Sequence, residues 1–155
     1  MTSNPYVATG DMLREARSAG DADTESQAEN LLAMLARRRG DVPAARRHLR
    51  RSLERSGVAD DRGARVAALN HLALLERAVG NLDDALALTD EALRRCTVLG
   101  DRHREAALRN NRADLLHALG RSREAAEEQV RSMTAFAEVG DQHGLEPEIW
   151  KLVEW

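Results

Sequence analysis

The sequence predicts an all-α fold, an α-solenoid of stacked antiparallel helix pairs. Three sets of identical residues recur forty residues apart and in phase: Asp21, Asp61, Asp101 and Asp141; Gly40, Gly80 and Gly120; and Asn30, Asn70 and Asn110. Apolar residues between them recur at helical spacing, and no segment alternates apolar and polar residues as a half-buried strand would. A unit repeated at this length is typical of helix pairs that stack on one another. We therefore expect about three full repeats, with a half-repeat at each end.

The second repeat, residues 61–100, shows how a unit divides into two helices. Leu72 and Leu75 lie at helical spacing in its first half, and Gly80 follows where a left-handed C-terminal cap is expected. Two acidic residues then suit the first turn of a second helix. Gly100 ends that helix, and the next repeat begins. The same order elsewhere predicts repeats at about 21–60, 61–100 and 101–140.

The two ends of the chain are each expected to form half a unit. Residues 1–10 form a polar N-terminal tail in this prediction, and a lone second helix follows, so the solenoid domain is expected over 11–155. A C-terminal capping helix is expected at about 147–155, and it carries Trp150 and Trp155. Two interpretations of this end stay open, a cap that shields the final repeat and a surface for self-association.

Small residues recur where two helices are expected to cross closely, and these positions predict the core. The columns are Ala33, Ala73 and Ala113 on first helices and Ala45, Ala85 and Ala125 on second helices. Cys96 also falls on a buried helix face. We therefore expect an inert core thiol at Cys96 rather than a nucleophile.

Composition narrows the class of protein. The chain has 155 residues, a net charge of −3 and 43% hydrophobic residues, which indicates about one domain without strong attraction to nucleic acid or anionic membranes. A single cysteine excludes an internal disulfide, and the N-terminus lacks the basic and apolar stretches of a signal peptide. The longest apolar run is far too short to span a membrane. We expect a soluble cytoplasmic protein.

The second repeat resembles the tetratricopeptide repeat in residue type and order. The matching segments are Asn70-His71-Leu72-Ala73, Gly80-Asn81-Leu82-Asp83-Asp84-Ala85-Leu86 and Glu91-Ala92-Leu93. The family's usual period is about 34 residues, and the forty-residue form is similar to repeats in bacterial signalling proteins and transcription regulators. The third repeat departs at Arg112, where the other first helices carry leucine. We expect that repeat to pack differently there or to contact a partner.

One stripe of each first helix lies opposite the buried arc on a helical wheel. In the first repeat, the buried arc is centred on Leu32, Leu35, Ala36 and Arg39. The opposite stripe consists of Asn30, Met34 and Arg37, then Asn70, Leu74 and Arg77, then Asn110, Asp114 and His117. The resemblance implies that this stripe lines a concave groove and binds a partner.

The chemistry of the stripe suits a peptide. Each carboxamide offers two donors and an acceptor, which match the backbone of an extended chain. Arg37 and Arg77 suit acidic side chains or a terminal carboxylate. The stripe therefore predicts a protein or peptide partner, with an acidic or C-terminal segment as one candidate. The alternative is structural: the asparagines bond to the neighbouring helix and set the repeat spacing, and the arginines are solvated.

A second charged feature lies between Arg37 and Arg51, where the chain has seven arginines. Arg47 and Arg50 fall with Arg51 on the outward side of their helix. A solvated convex face is the expected explanation. Nucleic acid is disfavoured as a partner because no aromatic residues are interleaved for base stacking.

The remaining polar residues predict no chemistry. His103, Asp114 and His117 share one side of a helix, but without an HExxH motif or a cysteine pair they do not predict a metal site. No cofactor is expected. The sequence therefore predicts a non-enzymatic interaction scaffold, in bacterial signalling or regulation. The alternative function is structural self-assembly through the half-repeat ends, including the end that carries Trp150 and Trp155.

Overall fold

The structure, a computed structural model, describes residues 4–140. Seven α-helices and no strands form this part of the chain. The helices are α1 Pro5–Ala19, α2 Ala22–Arg38, α3 Val42–Val58, α4 Arg62–Ala78, α5 Leu82–Leu99, α6 Arg102–Ala118 and α7 Ser122–Glu138. The all-α prediction is confirmed over these residues. The predicted C-terminal helix at 147–155, with Trp150 and Trp155, lies outside them.

The forty-residue aspartate column begins the first helix of each repeat. Asp21, Asp61 and Asp101 each accept a hydrogen bond, at 3.1, 2.9 and 3.0 Å, from the backbone N–H three residues later. Asp41 does the same for α3, where Pro43 stands in the first turn. Such a cap satisfies a donor that the first turn leaves open, and contributes about 1 kcal/mol to helix stability.

The helix ends have the left-handed geometry that the glycine columns predict. Gly80 and Gly100 have φ angles of 87° and 71°, which glycine adopts without strain. Asp60 takes the corresponding place after α3 with φ of 52°, the one positive value at a non-glycine residue in the described part of the chain. Aspartate visits this region more readily than most residues, so α3 can end without a glycine.

The first helix begins at Pro5, well before the residue 11 that the apolar spacing predicts. Asn4 caps it, because its Oδ1 accepts a hydrogen bond from the Tyr6 N–H at 3.0 Å. Proline is tolerated in the first turn, because the backbone N–H that it lacks would have no partner within the helix. Much of the expected polar tail is therefore helical, and Tyr6 packs against a core cluster that includes Leu13 and Leu32.

Arg39 departs from the buried arc of the helical wheel. It follows the last residue of α2 and is exposed, and its guanidinium carbon lies 3.6 Å from the centroid of the Tyr6 ring. A cation over an aromatic face is attracted by the ring's charge distribution. The side chain therefore covers an aromatic ring of the core while its charge stays in water.

Contacts divide the chain into two compact units at Leu75 and Glu76, inside α4. In the first unit, whose described part is residues 4–75, α2 packs against α1 and α3. In the second unit, whose described part is residues 76–140, α6 packs against α5 and α7. The predicted alanine columns are buried throughout, which confirms the core assignment at Ala33, Ala73, Ala113, Ala45, Ala85 and Ala125. None of the described helices combines the length and apolar character needed to span a membrane.

Candidate functional site

In the first unit the predicted stripe is partly open to solvent. Met34 and Arg37 of α2 are exposed, whereas Asn30 of α2 and Asn70 and Leu74 of α4 are half-buried. The exposed members are the ones that a partner can reach without moving the helices.

Asn30 is tied to α4 by a hydrogen bond. Its Oδ1 lies 2.6 Å from Nδ1 of His71. Burial lowers the pKa of His71, and the positive charge of Arg37 lowers it further. The neutral imidazole is therefore favoured, and its Nδ1–H donates to the carboxamide. This carboxamide links two first helices, which is the role that the structural alternative gives to the asparagine column.

An apolar pair accompanies the stripe on α2. Leu31 and Met34 are each 43% exposed, and residues three apart on a helix are surface neighbours. Asn30 and Arg37 precede and follow them along the helix, so a polar side chain borders the apolar pair at each end. Sequence reasoning missed Leu31, because the helical wheel selected only positions opposite the buried arc.

In the second unit two members of the stripe pair with each other. Nη1 of Arg77, on α4, lies 3.5 Å from Oδ2 of Asp114, on α6. Their side chains are 40% and 18% exposed, and an ion pair this accessible contributes at most about 1 kcal/mol to stability. A partner carboxylate can therefore compete for Arg77. Asn110 is half-buried and His117 is exposed.

The second unit also contains a charged cleft that sequence reasoning did not predict. Its volume is about 410 Å³, and α5, α6 and α7 line it through Asp90, Leu93, Arg94, Thr97, Arg109, Arg112, Glu128 and Arg131. The Glu128 carboxylate, 1% exposed, is one of these lining groups. It accepts hydrogen bonds from Arg109 at 2.9 Å and from Arg112 and Arg131 at 3.2 Å each. We call this feature the Glu128 cluster.

Arg112 is explained by this cluster. Besides Glu128 on α7, it donates from Nε to Asp90 on α5 at 2.7 Å. The expectation that the third repeat packs differently at Arg112 is confirmed, since an ion pair stands where the other first helices carry leucine. The sequence contains a further sign of this cluster. Arg109 and Glu128 are charged, whereas the equivalent residues of the second repeat are Leu69 and Leu88.

The guanidinium groups of the Glu128 cluster hold their charge and do not transfer protons. Burial disfavours the charged form of Arg109, but hydrogen bonds with Glu128 and Glu105 outweigh that effect and raise its pKa. A guanidinium does not release its proton in a protein. The arrangement is therefore suited to fixing helices or to binding an anion.

Cys96 and His103, which could act in catalysis or metal binding, lie in surroundings that do not favour either role. Cys96 is buried, its thiol donates to the backbone oxygen of Asp101 at 3.3 Å, and burial is the main reason its pKa is raised. A thiol with a raised pKa is a poor nucleophile. His103 lies edge-on to the Phe136 ring, with centroids 6.3 Å apart. No cluster of three or more potential ligands is placed to hold a metal within residues 4–140.

Comparison with known proteins adds two family matches. Two family models, each described as tetratricopeptide repeat, match residues 64–138 and residues 30–57. None of the curated proteins is a significant match to the sequence.

Solved structures of similar fold include BtubC (BKLC) from P. vanneervenii. Its TM-score is 0.76 at 20% identity, over 88% of this chain and 57% of that one. Two structures of nearly identical TPR-like repeats of a putative kinesin light chain from Podosopora anserina have TM-scores of 0.66 and 0.65. Both are 16% identical, over 99% of this chain and 94% of theirs. The chain thus spans little more than half of BtubC. At these identities the likeness shows the fold alone, and it confirms the predicted helical-repeat solenoid.

Proposed function

This chain belongs to the tetratricopeptide-repeat family, and from that premise we propose that it is a non-enzymatic scaffold that binds a protein or peptide partner along the stripe. The family and the fold support a protein-interaction role. The observation that carries the proposal is the exposed apolar pair Leu31 and Met34, flanked by Asn30 and Arg37. Apolar side chains at the centre of a patch with a polar rim are typical of protein-binding surfaces, and methionine adapts to varied partners.

The proposed partner presents an acidic side chain or a terminal carboxylate beside an apolar residue. Arg37 is exposed and lies on the same helix as Met34, so its planar guanidinium can receive a carboxylate in a bidentate pair. In the second unit, Arg77 is paired with Asp114, and a carboxylate of the partner can bind its guanidinium instead. The proposed setting is the bacterial cytoplasm, in signalling or transcription regulation, as the forty-residue repeat form suggests.

A capture experiment tests this proposal. Immobilised protein is incubated with native cytoplasmic extract, and the retained proteins are identified by mass spectrometry. The variant Leu31→Ser/Met34→Ser is expected to lose the specific partner while its melting temperature stays within about 2 °C. The matched control Val98→Ser/Val130→Ser, which changes two exposed apolar residues of the second unit, is expected to retain it. If the Leu31/Met34 variant captures the same partner as the wild type, the proposal is wrong.

Self-assembly through Trp150 and Trp155 stays the second candidate, and it predicts a different result. A protein that associates through this end has a mass in light scattering that rises with its concentration. The variant Trp150→Ala/Trp155→Ala would then be monomeric at every concentration. A wild-type protein that is monomeric throughout contradicts this candidate and leaves the partner-binding proposal in place.

A further inference from the structure

The outward face of α3 carries an unusual concentration of positive charge. Arg47, Arg50 and Arg51 are exposed, and within residues 4–140 no ion pair or side-chain hydrogen bond holds their guanidinium groups. They border a shallow depression of about 400 Å³, whose lining is Pro43, Arg46, Arg47, Arg50, Arg51 and Glu54. We call this surface the α3 face. Its lining contains four positive charges and one negative charge.

The repeat itself does not require these arginines. The positions equivalent to Arg47, Arg50 and Arg51 are Ala87, Asp90 and Glu91 on α5, and Glu127, Val130 and Arg131 on α7. Those second helices form with neutral, acidic or mixed side chains in the same places. The basic face is therefore a property of the first repeat alone, added to a helix that can form without it.

The clustering is unfavourable for the isolated helix. Like charges three or four residues apart on a helix repel each other by about 0.2–0.5 kcal/mol per pair, and Arg47 stands in that relation to both Arg50 and Arg51. On α5, by contrast, Arg94 and Arg95 pair with Glu91 at 2.7 and 2.6 Å. An anion bound to the α3 face would relieve this repulsion. We propose that the α3 face binds an acidic segment of a protein partner.

The size and chemistry of the face favour carboxylates. From Arg47 to Arg51 the helix rises about 6 Å, which matches about two residues of an extended chain. The face therefore fits two or three neighbouring acidic side chains, and a guanidinium can bind each carboxylate through two parallel hydrogen bonds. Nucleic acid suits it less, since no aromatic residue lines the face to stack on bases.

This site is independent of the proposed function. The stripe lies on the first helices, α2, α4 and α6, whereas the α3 face lies on a second helix. A partner could use either surface without the other, so each needs a variant that leaves the other surface intact.

The test measures direct binding of a defined acidic probe. A fluorescently labelled peptide of seven glutamates is titrated with protein, and its anisotropy is followed at low salt. Wild-type protein is expected to bind this peptide and not a peptide of seven glutamines. Arg47→Glu/Arg50→Glu is expected to weaken binding at least about tenfold, because it removes two ion pairs and adds two repulsive charges. Circular dichroism checks that the variant keeps its helices.

Two control variants make the result specific. Arg62→Glu/Arg123→Glu changes the net charge by the same amount at two other exposed arginines, and is expected to bind within about twofold of wild type. Leu31→Ser/Met34→Ser is expected to bind the glutamate peptide unchanged, which separates the α3 face from the stripe.

Three outcomes would overturn the proposal. The first is a wild-type protein that does not bind the glutamate peptide. The second is equal weakening in the control at Arg62 and Arg123, which would mean attraction to net charge rather than to a site. The third is tighter binding of an oligothymidylate with the same number of charges, lost in Arg47→Glu/Arg50→Glu, which would make nucleic acid the occupant.

Discussion

The two units place a carboxylate and a basic side chain in contact at the same position of the repeat, but with opposite polarity. In the first unit, Glu29 on α2 lies 2.6 Å from Nδ1 of His48 on α3. In the second unit, two repeats later, Arg109 on α6 lies 2.9 Å from Glu128 on α7. The acid is therefore on the first helix in one unit and on the second helix in the other. The repeat fixes where two side chains must complement each other, and leaves open which helix carries which charge.

The surroundings of the two carboxylates also differ. Glu29 accepts a hydrogen bond from Arg17 at 3.1 Å besides its contact with His48. Glu128 accepts hydrogen bonds from three arginines. Glu128 is therefore bound by guanidinium groups from three positions, whereas Glu29 is bound by one guanidinium and one imidazole.

Removing the carboxylate of the Glu128 cluster should have the largest effect on stability. Glu128→Gln replaces the charged acceptor that three guanidinium groups share with a neutral carboxamide, at a side chain that is only 1% exposed. We expect a loss of about 3 kcal/mol in the free energy of unfolding, measured by urea denaturation. Glu127→Gln changes the neighbouring exposed carboxylate and should cost less than about 0.5 kcal/mol. Equal effects of the two substitutions would show that the cluster does not stabilise the second unit.

Transferring the polarity of the second unit to the first tests the comparison directly. Glu29→Arg alone puts a buried cation beside Arg17 and His48 and should be strongly destabilising. The triple variant Arg17→Thr/Glu29→Arg/His48→Glu reproduces the residues at the equivalent positions in the second unit. We expect it to recover about 2 kcal/mol relative to Glu29→Arg, measured by urea denaturation. A triple variant as unstable as the single one would show that the polarity is fixed by the surroundings.

A buried serine pair gives a smaller contrast. In the first unit, Ser26 and Ser52 each donate to the other's backbone oxygen, at 2.9 and 2.8 Å. In the second unit only Ser132 donates, to Ala106 at 2.9 Å. Ser26→Ala copies the second unit and should cost about 1 kcal/mol or less, measured by thermal unfolding. Ser52→Ala and Ser132→Ala each remove one such bond and should cost similar amounts, so a much larger loss at Ser26 would contradict the equivalence.

Acid should weaken the first unit through His71. The pKa of His71 lies below its ordinary value of 6.5 in the folded chain, so the unfolded chain takes up its proton first as pH falls. The stabilisation is therefore fully present above about pH 6.5, and it declines as pH falls from there through the folded pKa. Between pH 7.5 and pH 5, the melting temperature of the wild-type protein should fall by more than that of the His71→Gln variant. His117→Gln, at an exposed histidine of the second unit, should behave as wild type, and identical profiles for all three would refute the assignment.

The sequence predicted the boundaries of the repeats well, because the backbone needs particular residue types at the helix ends and these recur at the repeat period. Asp61 had to offer an oxygen to an open N–H, and Gly80 had to adopt a positive φ, so both recur at the repeat period. The start of α1 was missed, since the helix begins at Asn4 and Pro5 within a stretch whose polarity suggested a tail. The stripe was predicted only from the positions of its residues on a helical wheel. The contacts of Asn30 with His71 and of Arg77 with Asp114 could not be predicted in that way.

By itself, the sequence determined that helix pairs of forty residues repeat, where the aspartate and glycine columns begin and end their helices, and which alanines fill the crossings. The repeat, the helix ends and the helix crossings depend on local backbone geometry and on the spacing of small and apolar residues, and both can be recognised in the sequence. Only the tertiary structure decided which charges meet. Glu128 finds Arg109 and Arg112 on another helix, and Arg47 finds no partner among the described residues, because ion pairs depend on distances between helices that the repeat period does not encode.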